Sequence, residues 1–155
     1  MAQVERFVSK ADTISLPVLS ATVIEKGDFI ALSALNETAI PVSDIADAGD
    51  AAANREAASQ VFLGIARTAS ATGETDDVEV GISLEDVYEL DLQAAAALSI
   101  GDYVEVYADT NGCSDQLCVA GSTSRIALCI ENKAAAGTKF KAILSPQLLL
   151  RVHET

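Results

Sequence analysis

Tryptophan is absent from this 155-residue chain, methionine and histidine occur once each, and proline three times. Aromatic residues make up only 5% of it. Few flat side chains are therefore on hand to stack on sugar rings or nucleobases, and the core has to be thin and aliphatic. Positive charge is the next scarcity: ten Lys and Arg stand against 23 Asp and Glu, a formal net charge of −13. A phosphate backbone or an anionic bilayer is repelled by such a surface, so neither nucleic acid nor membrane is an expected partner. Long hydrophobic runs are missing too, and no stretch approaches the ~20 apolar residues of a membrane-crossing helix. The one leader-like segment, Ile14 to Ile24, follows mixed charges and is broken by Pro17, so no secretory signal is expected.

The cysteines are too few and too irregular for a disulfide framework or a four-ligand zinc site. Cys113, Cys118 and Cys129 read as reduced thiols of a protein made in a cytoplasm, the latter two in the core and Cys113, beside a turn, exposed. Asn36-Glu37-Thr38 matches a glycosylation acceptor, which has no meaning without secretion.

What the chain does contain is a repeated figure. GDFI at Gly27–Ile30 and GDYV at Gly101–Val104 each open an aromatic, β-branched run. Each is followed by an Ile-Ala run (Ile65-Ala66, Ile126-Ala127), a turn at Thr72-Gly73 or Ala136-Gly137, and another strand-like segment. Two related β-units are expected. Val78, Val80 and Ile82, then Tyr88, Leu90 and Leu92, alternate with mostly polar residues at a period of two, the mark of half-buried strands. Asn111-Gly112 predicts a hairpin with a type I′ turn. Further strands are expected at 125–131, 138–144 and 148–152. Residues 36–59 read as a loop with one short helix from Ala51, capped by Asp50. The expected fold is all-β: a small antiparallel sandwich or barrel of two related units (16–155), preceded by an N-terminal arm (1–15).

Candidate chemistry is sparse. His153 is close to the end of the sequence, where a catalytic histidine would rest on a fraying tail. Asp44, Asp47 and Asp50 are spaced as oxygen ligands for calcium could be, but the EF-hand pattern and its bidentate Glu are missing. Glu74, Asp76, Asp77 and Glu79 could pair carboxylates for acid–base work, yet Thr72-Gly73-Glu74 reads first as a solvated hairpin turn. Single-glycine turns at Gly27 and Gly101 do not cradle phosphate. No catalytic residue, metal or cofactor is expected.

Taken together, the Gly27-Asp28 strand, Gly64-Ile65-Ala66, the Thr72-Gly73-Glu74 turn into VEVGI, VYELDL, the Ala-rich lead into Ile100-Gly101-Asp102-Tyr103-Val104, and KFKAIL resemble the capsid decoration, or cement, proteins of tailed bacteriophages. The resemblance runs through residues 20–146. It departs from the family pattern at Arg125, where glycine is usual, and in the length of 36–59. It implies a compact β domain with no catalytic residues or cofactor that attaches, often as a homotrimer, to the outside of an assembled shell. The major capsid protein and the protein itself are then the expected partners. The apolar ends are the expected contact residues: Val4, Phe7 and Val8 in the arm, and Leu148, Leu149, Leu150 and Arg151. The competing readings are a ligand-binding β-module, such as a carbohydrate-recognition or adhesion domain, and an all-β hydrolase using Asp76 and Asp77.

Overall fold

The structure, a computed structural model, describes residues 13–33 and 37–146. Among the described residues it is all-β apart from one helix and one 3-10 turn. Ten strands follow in order: β1 (Thr13–Leu16), β2 (Phe29–Leu32), β3 (Ala39–Pro41), β4 (Phe62–Ala66), β5 (Val78–Gly81), β6 (Tyr88–Leu92), β7 (Tyr103–Asp109), β8 (Gly112–Ala120), β9 (Arg125–Cys129) and β10 (Lys139–Leu144). The 3-10 turn (Val42–Asp44) and helix α1 (Ala51–Val61) lie between β3 and β4.

The two units repeat strand for strand. The first sheet runs β1-β5-β4-β2-β3, and the second, starting from β6, runs β6-β10-β9-β7-β8. The second closes into a barrel because β6 and β8 pair, in parallel, through Asp91–Leu117 and Leu92–Cys118. That pair is the exception to the expected antiparallel order. At the equivalent seam the first sheet has a single bond, from the Ala39 N–H to the Pro17 carbonyl at 2.9 Å.

Why both units start alike is visible in their turns. Gly27 (φ 99°) and Gly101 (φ 95°) occupy the left-handed position that Cβ disfavours, at the third residue of a tight turn. The following aspartate closes it: Asp28 Oδ2 accepts from the Glu25 N–H at 2.7 Å, and Asp102 Oδ2 from the Ser99 N–H at 2.8 Å. Each turn then docks on the same partner strand. Gly27 N donates to Ala66 O and Ala66 N to Asp28 O, while Gly101 N donates to Cys129 O and Cys129 N to Asp102 O. Ala66 is thus equivalent to Cys129, and Ile65-Ala66 to Leu128-Cys129. The sequence match to Ile126-Ala127 is off by two residues, and a register shift opposite Val104 and Glu105 leaves Ile126 in the core while Leu128 is partly exposed.

The two aspartates differ in burial. Asp28 is 4% exposed and its Oδ1 also accepts from Gln116 Nε2 at 2.8 Å, whereas Asp102 is exposed. Asp28→Ala should cost about 2 kcal/mol and Asp102→Ala under about 1 kcal/mol in urea unfolding, because only the first removes a buried carboxylate that holds two hydrogen bonds. Equal costs would contradict this account of the turns.

Three corrections to the sequence reading follow. Thr13–Ser15, assigned to the arm, belong to β1 and pair with Gly81, Val80 and Glu79. Asn111 does not take positive φ: the hairpin turns on Thr110-Asn111, the positive φ (139°) falls on Gly112, and Asp109 Oδ1 accepts from the Asn111 N–H at 2.8 Å, so the turn is not type I′. Cys113 is half-buried, its Sγ donating to the Asn54 carbonyl at 3.4 Å beneath α1. Asp50 caps α1 as expected, Oδ1 accepting from the Ala53 N–H at 2.8 Å. The expected strand at 148–152 lies outside the described residues.

Burial follows the repeat. Val18, Ile24, Ile30, Ala39, Ala66, Val78 and Val80 fill the first unit. The larger core fills the barrel with Leu90, Leu92, Val104, Val106 and Phe140 and extends to Phe29, Phe62, Ile65 and Ala58. Phe29 and Phe62 meet edge to face at 6.1 Å.

Candidate functional site

An open cleft of about 590 Å³ lies where the first unit meets β8. Turn chemistry places its charges. Asp28 arrives on the Gly27 turn, Glu25 precedes it, Asp44 ends the 3-10 turn, and Asp115 reaches across from β8. Asp115 Oδ1 accepts from the Ser43 N–H and Oδ2 from the Ser43 hydroxyl, both at 2.8 Å, stitching the two units together. Among the described residues that line the cleft, four are carboxylates and none is basic. Val23, 48% exposed, gives it an apolar edge.

Partial burial pushes the Asp115 carboxyl above its usual range; the Ser43 hydrogen bonds pull it back and the Asp28 and Asp44 charges push it further up. Burial raises Asp44 as well. A carboxyl whose folded pKa is raised opposes folding while ionised, and that opposition fades as pH falls through the folded pKa. Asp115→Asn should therefore raise the melting temperature at pH 7, with the gain shrinking toward pH 3.8, the group's ordinary value. Half-exposure keeps the effect modest. A variant less stable at pH 7 would contradict it.

The sequence candidates do not converge. Asp47 Oδ1 accepts from the Gly49 N–H and from Asn54 Nδ2, both at 2.9 Å, which holds its carboxyl below the ordinary range. Asp50 caps α1, and only Asp44 reaches the cleft. Glu74 Oε2 accepts from the Ala71 N–H at 2.9 Å inside its own turn, while Asp76 and Asp77 are exposed. Among the described residues, no group of three or more His, Cys, Asp or Glu is placed to hold a metal ion. Burial pushes the Cys113 thiol up to about 11 and raises Cys118 as well, so neither supplies a thiolate nucleophile at neutral pH. Val4, Phe7, Val8, Leu148, Leu149, Leu150, Arg151 and His153 lie outside the described residues.

The duplicated strands and their connections coincide with a family model described as phage cement protein, which matches residues 8–144, most of the chain. The chain belongs to the phage cement protein family. No curated protein and no solved structure matches it. Cement proteins are structural rather than catalytic, and the family places this one at the virion capsid. No described helix is long and apolar enough to cross a membrane. The family was legible in the strand-opening turns together with Gly64-Ile65-Ala66, VEVGI, VYELDL and KFKAIL. The cleft was not, because its walls come from residues about 90 positions apart, such as Asp28 and Gln116.

Proposed function

We propose that this cement protein binds the outer surface of an assembled tailed-phage capsid as a homotrimer and stabilises the shell, without performing any chemistry. The observation that carries the reading is the family match, which spans both β-units rather than one of them. The acidic composition supports it, since a net charge of −13 keeps copies soluble at high local concentration and gives them no affinity for the packaged genome. A protein that recognises only the assembled lattice adds its binding free energy to lattice stability by mass action, and symmetric oligomerisation multiplies weak contacts. The apolar residues near both ends, Val4, Phe7 and Val8 and Leu148 to Leu150 with Arg151, serve as contacts to coat subunits or to neighbouring copies.

Purified protein mixed with undecorated capsids of its phage should sediment with them saturably at micromolar concentration and ignore unassembled coat subunits. Protein that remains in the supernatant would refute the proposal.

A further inference from the structure

The duplication supplies an internal control for how each unit fastens its loops. Leu98 and Lys133 exchange backbone hydrogen bonds at 3.0 Å and 2.8 Å, as Ile24 and Ser70 do at 2.9 Å each. Ile24 and Leu98 stand at the same distance before the turn glycines Gly27 and Gly101, so Lys133 occupies the place of Ser70. The loops that follow are held by different means. In the first unit Gly73 (φ 91°) donates its N–H to the Ser20 carbonyl at 2.7 Å, and Glu74 closes the turn on the Ala71 N–H. In the barrel the counterpart is Gly137 (φ 79°), and among the described residues its N–H makes no such backbone bond. A side chain does the fastening instead.

The ammonium of the half-buried Lys133 donates to the carbonyls of Ala96 and Gly137, both at 2.7 Å, and of Ala134 at 2.9 Å, with the Ala136 carbonyl further off at 3.4 Å. Three short contacts match its three N–H donors. Among the described residues no carboxylate pairs with it. Its charge is met by carbonyl dipoles drawn from two loops, Ala96 between β6 and β7 and the other three between β9 and β10. Neutral backbone oxygens converging on one positive charge are the surroundings that carbonyl-lined filters give a monovalent ion. The spacing also selects size. Calcium takes oxygen ligands at about 2.3–2.6 Å and magnesium at about 2.0–2.1 Å, both with carboxylate help. The short contacts here, 2.7 to 2.9 Å, are too long for either and suit ammonium or the similarly sized potassium ion.

We propose that the carbonyls of Ala96, Ala134, Ala136 and Gly137 form a monovalent-cation site that the Lys133 ammonium fills in place of a free ion, and that Lys133→Ala vacates it for ammonium or potassium. The lysine carries its own cation into the cage, so the barrel's two loops stay joined whatever salt surrounds the protein. A compact point charge is required, because the planar guanidinium of arginine spreads its donors and cannot converge them on one centre.

Urea unfolding of the wild type, Lys133→Ala and Lys133→Arg tests this in the chlorides of potassium, ammonium, lithium and tetramethylammonium at equal concentrations. The wild type, whose site is filled, reports the general effect of each salt. Relative to it, Lys133→Ala should unfold at lower urea in lithium and tetramethylammonium, and should recover about half of that loss, saturably, as potassium or ammonium is raised. Lys133→Arg should stay below wild type in all four. A Lys133→Ala protein as stable as wild type, a loss equal in all four salts, or full stability in Lys133→Arg would overturn the proposal. A second measurement needs no variant and decides the matter if Lys133→Ala does not fold. In wild type an amine-acylating reagent followed by mass spectrometry should modify Lys133 at least about tenfold more slowly than the exposed Lys139 and Lys141, since its bonds to the carbonyls must break first. Equal rates at the three lysines would overturn the proposal as well.

Discussion

Gly64→Ala should unfold this protein at much lower denaturant concentration than wild type, at a cost of about 3 kcal/mol or more. All five residues of β4 are buried, and a Cβ at Gly64 would overlap the Gly81 carbonyl oxygen, with the Gly81 carbonyl carbon at 3.0 Å and Val80 Cγ1 at 3.1 Å. Two of these three obstacles are backbone, which cannot rotate away, so relief requires β5 to move off β4 and break the Ile65–Gly81 pairing. The repeat makes the test sharper. Gly64 opposes Ile30 as Ala127 opposes Val104, so the substitution installs the residue that the barrel already carries at the equivalent site. It fails in one unit and succeeds in the other because β10 stays in register with β9 as far as Leu144–Ala127, whereas the β4–β5 ladder stops at Ile65. Urea unfolding of Gly64→Ala with wild-type stability would contradict this close approach.

Asn54→Leu should be the next most damaging change, at about 3 kcal/mol. Asn54 is 2% exposed and its side chain is fully engaged: Oδ1 accepts from the Ala48 N–H at 2.7 Å, and Nδ2 donates to Asp47 Oδ1 and to the Asp109 carbonyl, both at 2.9 Å. One side chain thus ties the loop before α1, the helix and the β7–β8 hairpin. Leucine has a suitable volume but removes three hydrogen bonds at once, to Ala48, Asp47 and Asp109, each worth about 1 kcal/mol. Asn54→Asp would fare no better, since it loses both donors and sets a second charge beside Asp47. Amide exchange at Ala48 should accelerate in both variants; exchange unchanged from wild type would show that the network does not hold the loop.

Those two residues also mark what could be read from the sequence. Alternation at Val78–Ile82 and Tyr88–Leu92 located β5 and β6, because period two survives any tertiary context that buries one face. The Gly-Asp turns located β2 and β7, because positive φ followed by a closing carboxylate is a local requirement written in adjacent residues. β1 was missed because Thr13–Leu16 is short and stands beside charged residues, and only its pairing with β5 makes it a strand. The two-residue slip at Ile126-Ala127 arose because shared residue identity does not record register. The acidic cleft was not legible: Asp28 and Gln116 become neighbours only through strand order.

The central claim is that a duplicated β protein of the phage cement family strengthens an assembled shell by binding it, and capsid melting measured by calorimetry tests it most directly. Capsids supplemented with this protein at about 100 times its dissociation constant should gain about 2.7 kcal/mol per occupied site and melt at a higher, concentration-dependent temperature. Capsids that melt at the same temperature with and without saturating protein would contradict it.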